Sequence, residues 1–213
     1  VGGSSSGGGG SSGGGRKEIK YAGEVSPTDT KNILPVDLKN HWSAEYAALM
    51  LNKGIMSAEG NNVFNPERAA KRSEIILWIS KAVGFEKNDY NGQFSDVNSN
   101  DNYSGYLQTM VDKGVISRDT EFRPNDNITR EELCKILYII LKNNNKLSET
   151  KSLDLSLFTD NYLVSEWAYE YVNGILKSGL MIGVSDKEFS PQGICTKGQL
   201  AAVITRIITL LGE

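Results

Sequence analysis

In 213 residues there are two cysteines, one histidine and five prolines, too few to build a disulfide framework or a histidine-based metal site. Cys134 falls inside an amphipathic stretch and Cys195 just ahead of another, at places that are not equivalent. Buried apolar thiols are therefore expected rather than a disulfide or a metal pair, and stability must come from packing. His41 has no partnering cysteine or serine arrangement and is expected at the surface or at a helix start. No basic run occurs, the net charge is −3, and the lysines and arginines are interleaved with acids, which excludes a phosphate-tracking nucleic-acid surface. No apolar segment reaches the roughly 18 residues a membrane span needs. Gly-x-Ser-x-Gly, a Walker loop, His-Glu-x-x-His and Cys-x-x-Cys are all missing, so neither an enzyme nor a cofactor is expected. Asp96-x-Asn98-x-Asn100 begins like a calcium loop, but Asp101 stands where the turn glycine belongs and Leu107 where the bidentate glutamate belongs. No metal is expected.

What the chain does contain is an ordinary globular composition, 39% hydrophobic and 23% charged, and a repeat. Phe122-x-Pro124 followed by Thr129-Arg130-Glu131-Glu132 is matched by Phe64-x-Pro66 with Lys71-Arg72-Ser73-Glu74. It is matched again by Phe189-x-Pro191 with Thr196-Lys197-Gly198-Gln199, at common offsets of 58 and 67 residues. Each unit carries an acid after an apolar residue (Asp37, Asp96, Asp160), an amphipathic stretch ending at a glycine (Gly54, Gly114, Gly179), the Phe-x-Pro loop and a second amphipathic stretch. The expected units are 34–92, 93–152 and 153–213. A pair of short helices buries one face only, so the three units should share a core, and closure on themselves would place three similar grooves between neighbours. The expected fold is mainly α, three tandem helix-loop-helix repeats.

Residues 1–15 contain 14 glycines or serines and can bury nothing; a flexible tether spanning about 20 Å is expected. Residues 16–33 are expected as an extended connector, so that 1–33 is linker, either natural or left by expression. The chain starts at Val1 without a signal peptide, and a fragment whose N-terminal domain is missing is expected.

Much of the repeated element has a purely structural reading. Thr129 is a good N-cap, Glu132 closes a capping box, and Ile128 with Leu133 forms a hydrophobic staple. Thr196, Gln199, Cys195 and Leu200 repeat that grammar, whereas Lys71 replaces the capping hydroxyl in the first copy and should weaken that helix start. Capping does not explain Arg72, Arg130 and Lys197. Each falls at the first helical position, where the macrodipole disfavours a cation by about 0.3–1 kcal/mol. A solvated surface charge explains any one of them; recurrence in all three suggests that they meet an anion.

Phe-x-Asp, a helix ending Lys-Gly-Val/Ile, Phe-x-Pro and Thr-Arg-x-Glu, in order, complete in the second copy and degraded in the other two, resembles the S-layer homology (SLH) domain across about residues 34–213. The resemblance implies a pseudo-threefold, three-pronged trimer of SLH motifs around a central helical bundle. It further implies binding of secondary cell-wall polysaccharide, often bearing pyruvate ketals, on bacterial peptidoglycan, as the extracellular anchor of a larger surface protein. The family's arginine, associated with the anionic sugar, maps to Arg72 and Arg130, and a guanidinium can hold a ketal carboxylate bidentately. Lys197 departs from the pattern as a point charge, and Gly198-Gln199 removes the acid. Unequal grooves are expected, that of Arg130 strongest and that of Lys197 weakest.

Other residues carry two readings each. Asp37, Asp96 and Asp160 either accept hydrogen bonds from sugar hydroxyls or cap the helix that follows. Trp42 and Trp167 either lie against a sugar face or, as aromatics at helical spacing more often do, sit in the core. Gly54, Gly114 and Gly179 are helix stops first and points of close ligand approach second. In place of a glycan ligand, the same grooves could serve a protein–protein interaction module that binds an acidic peptide.

Overall fold

The computed structural model describes residues 34–147 and 153–212, so the expectations for residues 1–33 fall outside the described residues. Six α-helices carry the fold: α1 (Ala44–Asn52), α2 (Arg72–Ala82), α3 (Ser104–Asp112), α4 (Arg130–Asn143), α5 (Tyr169–Lys177) and α6 (Lys197–Gly212). The described residues form no strand, only isolated bridges. The mainly α class and the two-helix unit follow the sequence.

Two of the second helices start on local capping boxes, and the first helices stop at glycines. Thr129 Oγ1 accepts from the Glu132 amide at 3.3 Å while Glu132 takes the Thr129 amide at 3.0 Å, and Thr196 and Gln199 exchange the same two bonds at 3.3 Å. In the first repeat only the reverse half exists, Lys71 N to Glu74 at 2.9 Å, because an ammonium cannot accept. At the other end, Gly114 adopts φ +70° and Val115 N bonds back to Met110 O at 2.8 Å, a left-handed stop that a side chain would strain.

The first helix of each repeat packs on the second helix of the repeat before it. Thus α3 lies on α2 and α5 on α4, and α1 closes the ring on α6. The chain ahead of each second helix makes the same circuit: Lys71 bridges Asn127, Thr129 bridges Ile194, and Thr196 bridges Ala69. The first two amides of each second helix, which no helix can satisfy itself, donate to the neighbour's Phe-x-Pro loop. Arg72 N reaches Asp126 O and Ser73 N reaches Pro124 O; Arg130 N reaches Gly193 O and Glu131 N reaches Pro191 O; Lys197 N reaches Arg68 O and Gly198 N reaches Pro66 O, all at 2.7–3.1 Å. Gly198 is demanded by this closeness, since a Cβ there would stand 2.8 Å from Ser43 Oγ and 3.1 Å from Pro66 O. The staple residues Ile128 and Leu133, and both cysteines, lie in the shared core. Burial pushes both thiols up, that of Cys195 to about 12.

Candidate functional site

The three cations that the helix dipole disfavours turn inward, toward the next repeat. Arg72 gives Nε to Phe122 O at 3.0 Å, with its guanidinium 5.1 Å from the centre of the Phe122 ring. Arg130 gives Nε to Phe189 O at 2.8 Å and Nη2 to Ile182 O at 2.6 Å, 4.6 Å from the Phe189 ring. Lys197 gives Nζ to Ser57 O at 3.0 Å and stands 4.5 Å from the Phe64 ring. The cost of a positive charge at a helix start is offset by carbonyl dipoles and aromatic faces. Burial is deep, with 6% of Arg130 and 2% of Lys197 exposed, and it pushes the pKa values of all three cations down.

The aspartates hold those loops in place. Asp37 accepts the amides of Phe64 and Asn65 at 2.9 and 2.6 Å, Asp96 those of Phe122 and Arg123 at 2.8 and 2.7 Å, and Asp160 those of Phe189 and Ser190 at 2.9 and 2.7 Å. The clamped residue between Phe and Pro is left-handed in every repeat, φ 57° at Asn65, 59° at Arg123 and 58° at Ser190. These acids do not cap the first helices, whose N-cap positions are Ser43, Tyr103 and Ala168, and Asp160, which stands at the N-cap of the short 3-10 helix Asn161–Leu163, gives that turn no side-chain bond. Burial works against the Asp37 charge, yet the amides of Phe64 and Asn65 hold its carboxyl below the usual range. Both oxygens of each aspartate are engaged, so sugar hydroxyls would meet only their remaining lone pairs. Gly54, Gly114 and Gly179 have left-handed φ values and open space where a Cβ would stand, as helix stops require.

Trp42 and Trp167 are not core residues. They precede their helices by two residues and are 56% and 49% exposed. The same position in the second repeat, twelve residues before the helix-stopping glycine, is Asn102. His41 beside Trp42 bonds Ser43 Oγ and Glu67 at 2.8 Å, a helix-start residue as expected.

These parts meet in grooves that draw on all three repeats. Arg72 of the first repeat, Phe122 and Lys135 of the second and Trp167 of the third line one depression of about 250 Å³. Lys197 of the third repeat, Glu59 and Trp78 of the first and Asn102 of the second line another of about 220 Å³. By the same register Arg130, the loop ending at Phe189, and Trp42 belong together, with Ser43 against the first turn of α6. Glu131, buried, accepts Ser165 N at 3.0 Å and Ser165 Oγ at 2.7 Å and so fixes the turn that carries Trp167, above which Lys135 Nζ stands 5.7 Å from the ring.

The grooves differ in how far their cation is neutralised from within. Arg72 meets Glu132, third residue of α4, at 3.2 Å. Lys197 meets Glu59 at 3.3 Å, and Arg68 forks between Glu59 at 3.0 Å and Glu74 at 2.7 Å. Arg130 has no carboxylate within 4 Å among the described residues; the residue of α6 matching Glu132 and Glu74 is the neutral Gln199. The acid lost at Gln199 is thus lost to the groove of Arg130 and not to that of Lys197, since each second helix faces the cation of the repeat before it. Glu59, Arg68, Glu131 and Lys135 were not singled out from sequence, because none recurs at its equivalent position.

The S-layer homology domain profile matches residues 36–76, 93–134 and 157–201. Among curated relatives, the chain is similar to Exoglucanase XynX of Acetivibrio thermocellus, 28% identical over 85% of this chain and 17% of that protein. It is similar to the Surface-layer 125 kDa protein of Lysinibacillus sphaericus, 27% identical over 78% of this chain and 14% of that protein. It is also similar to the Cellulosome-anchoring protein of Acetivibrio thermocellus, 24% identical over 68% of this chain and 33% of that protein. The chain therefore spans between 14% and 33% of the length of these relatives.

Proposed function

Because the chain belongs to the S-layer homology domain family, we propose that it is a non-catalytic module that holds a larger exported protein on the bacterial cell surface. Its ligand is an anionic secondary cell-wall polysaccharide, received in the inter-repeat grooves, with pyruvate ketal carboxylates directed at the buried cations. Relatives named as a glycanase, a surface-layer protein and a cellulosome-anchoring protein support the reading, because what they have in common with this chain is this segment and not one catalytic activity.

The observation that carries the proposal is the pairing, in one groove, of a deeply set cation with an exposed tryptophan, seen for Arg72 with Trp167. A carboxylate-bearing sugar needs both a fixed charge and an apolar face to lie on. Several modest sites on one polymer then sum to firm retention. Arg130, which no internal carboxylate neutralises, would be the strongest cation.

The test is retention of the chain on purified Gram-positive wall sacculi, with and without their secondary polysaccharide, comparing wild type with Trp42→Ala/Trp167→Ala. Both tryptophans are half exposed, so the variant should stay folded. Loss of retention with the polysaccharide and with the tryptophans is expected. Retention that is indifferent to the polysaccharide but abolished by protease treatment of the wall would move the assignment to a peptide partner.

A further inference from the structure

The groove of Lys197 already contains a carboxylate, that of Glu59. It is carried by the loop between Gly54 and Phe64. Six residues separate Ser57 from Phe64, and six separate Ile182 from Phe189, but only four separate Ser117 from Phe122. The two longer loops fold alike: Glu59 N bonds Val63 O at 2.7 Å, and Val184 N bonds Glu188 O at 2.8 Å. Glu59 and Val184 are therefore equivalent, five residues beyond Gly54 and Gly179. The carbonyls two residues before them, Ser57 O and Ile182 O, receive Lys197 and Arg130 in turn. Where the third repeat offers Arg130 an apolar, half-exposed Val184, the first repeat offers Lys197 an acid.

Resting on the anchoring reading, we infer that Glu59 is a built-in substitute for the ligand carboxylate, closes the Lys197 groove and limits the module to two open anion sites. One oxygen of Glu59 takes Lys197 Nζ at 3.3 Å and Arg68 Nε at 3.0 Å, and the other takes Asn65 Nδ2 at 2.7 Å. Those are the partners that an incoming anion would seek. Arg68, the second cation of this groove, is also held bidentately by Glu74 at 2.9 and 2.7 Å. An external carboxylate would have to displace a tethered one whose effective concentration exceeds that of any free ligand. In the Arg72 groove the acid comes instead from α4, where Glu132 takes only Nη1, at 3.2 Å, while Asp119, five residues beyond Gly114 on a loop two residues shorter, lines the groove without pairing with Arg72; in the Arg130 groove the position is Val184.

The three tryptophans of the chain report on the three grooves separately: Trp167 lines that of Arg72, Trp78 lines that of Lys197, and Trp42 stands by register at that of Arg130. The experiment follows their indole N–H signals by ¹⁵N NMR during titration with a methyl β-glucoside 4,6-pyruvate ketal. In wild type, Trp167 and Trp42 should shift and Trp78 should not. In Glu59→Gln, which keeps the side-chain shape, Trp78 should begin to shift with the others. In Val184→Glu, at a half-exposed site that tolerates the change, the Trp42 shift should be lost and that of Trp167 kept. Trp78 shifting fully in wild type would overturn the inference and leave the anchoring reading standing. Trp78 silent in a folded Glu59→Gln whose other two indoles shift would do the same. No indole shifting in any of the three proteins would overturn both.

Discussion

Arg130 lies 4.6 Å from the centre of the Phe189 ring and donates Nε to the carbonyl of that same Phe189, 59 residues on. One side chain thus seals the boundary between two repeats through the residue that opens the next repeat's loop. The whole arrangement returns at Arg72 with Phe122, and at Lys197 the ring contact returns with Phe64 while the carbonyl bond goes to Ser57 O, so any ligand role of these cations is superimposed on a structural one.

Arg130→Ala should therefore destabilise the fold. One buried carbonyl, Phe189 O, and one half-buried, Ile182 O, would lose charge-assisted donors, and the ring would lose its cation. A loss of about 3 kcal/mol is expected, read as a lower urea midpoint at unchanged m-value. Arg72→Ala, at a less buried site with one such carbonyl bond, should lose about half as much. Wall-binding results for alanine variants at these positions need that measurement beside them.

Asp37→Asn should weaken the chain by about 1 kcal/mol near neutral pH, because an amide can accept from only one of the two backbone N–H groups now held. The folded-state pKa of Asp37 is depressed below its ordinary 3.8. Its contribution is therefore fully present above that value and is lost as pH falls through the lower folded value. The gap between the urea midpoints of wild type and variant, measured from pH 7 down to pH 3, should be constant above pH 3.8 and narrow below it. A constant gap across that range would show that the carboxylate charge plays no part.

The sequence was most legible where the determinant is local. The second helices, their capping boxes, the glycine stops and the burial of Cys134 and Cys195 all follow from residues within a turn of one another. The cyclic partnering was not legible, because which repeat's cation meets which repeat's acid is settled by packing. For that reason the missing acid at Gln199 reads in sequence as a defect of Lys197 and in space as a property of the Arg130 groove. The Asp37 clamp spans 27 and 28 residues, and its sequence trace is only a left-handed residue before each proline, of which Asn65 alone is a residue type that favours that conformation. The tryptophans sit close enough to helical spacing to pass for core, and only their place ahead of the helix exposes them.

Lys71→Thr should stabilise the chain. Lys71 is the sole N-cap of the three second helices without a hydroxyl, yet it has the extended backbone of a cap, and Glu74 already returns the reverse bond at 2.9 Å. The new hydroxyl would accept from the Glu74 amide, as Thr129 does from Glu132. A gain of about 1 kcal/mol is expected in urea unfolding.

Arg130→Lys separates the two roles of that residue, because the third repeat shows what a lysine does there. Lys197 keeps both the carbonyl bond and the ring contact, with Nζ 3.0 Å from Ser57 O and 4.5 Å from the Phe64 ring. A lysine at 130 should likewise reach Ile182 O and stay over Phe189, so the fold should lose only about 1 kcal/mol. It cannot present a planar fork to a carboxylate, and the loss of one charge-assisted bond corresponds to about tenfold in affinity. Retention on wall sacculi should therefore fall about tenfold for Arg130→Lys while its urea midpoint stays close to wild type. If retention instead followed the midpoint, falling no further than the small loss of folded protein allows, Arg130 would be a structural seal alone, and the anion would have to be received by Arg72 and Lys135.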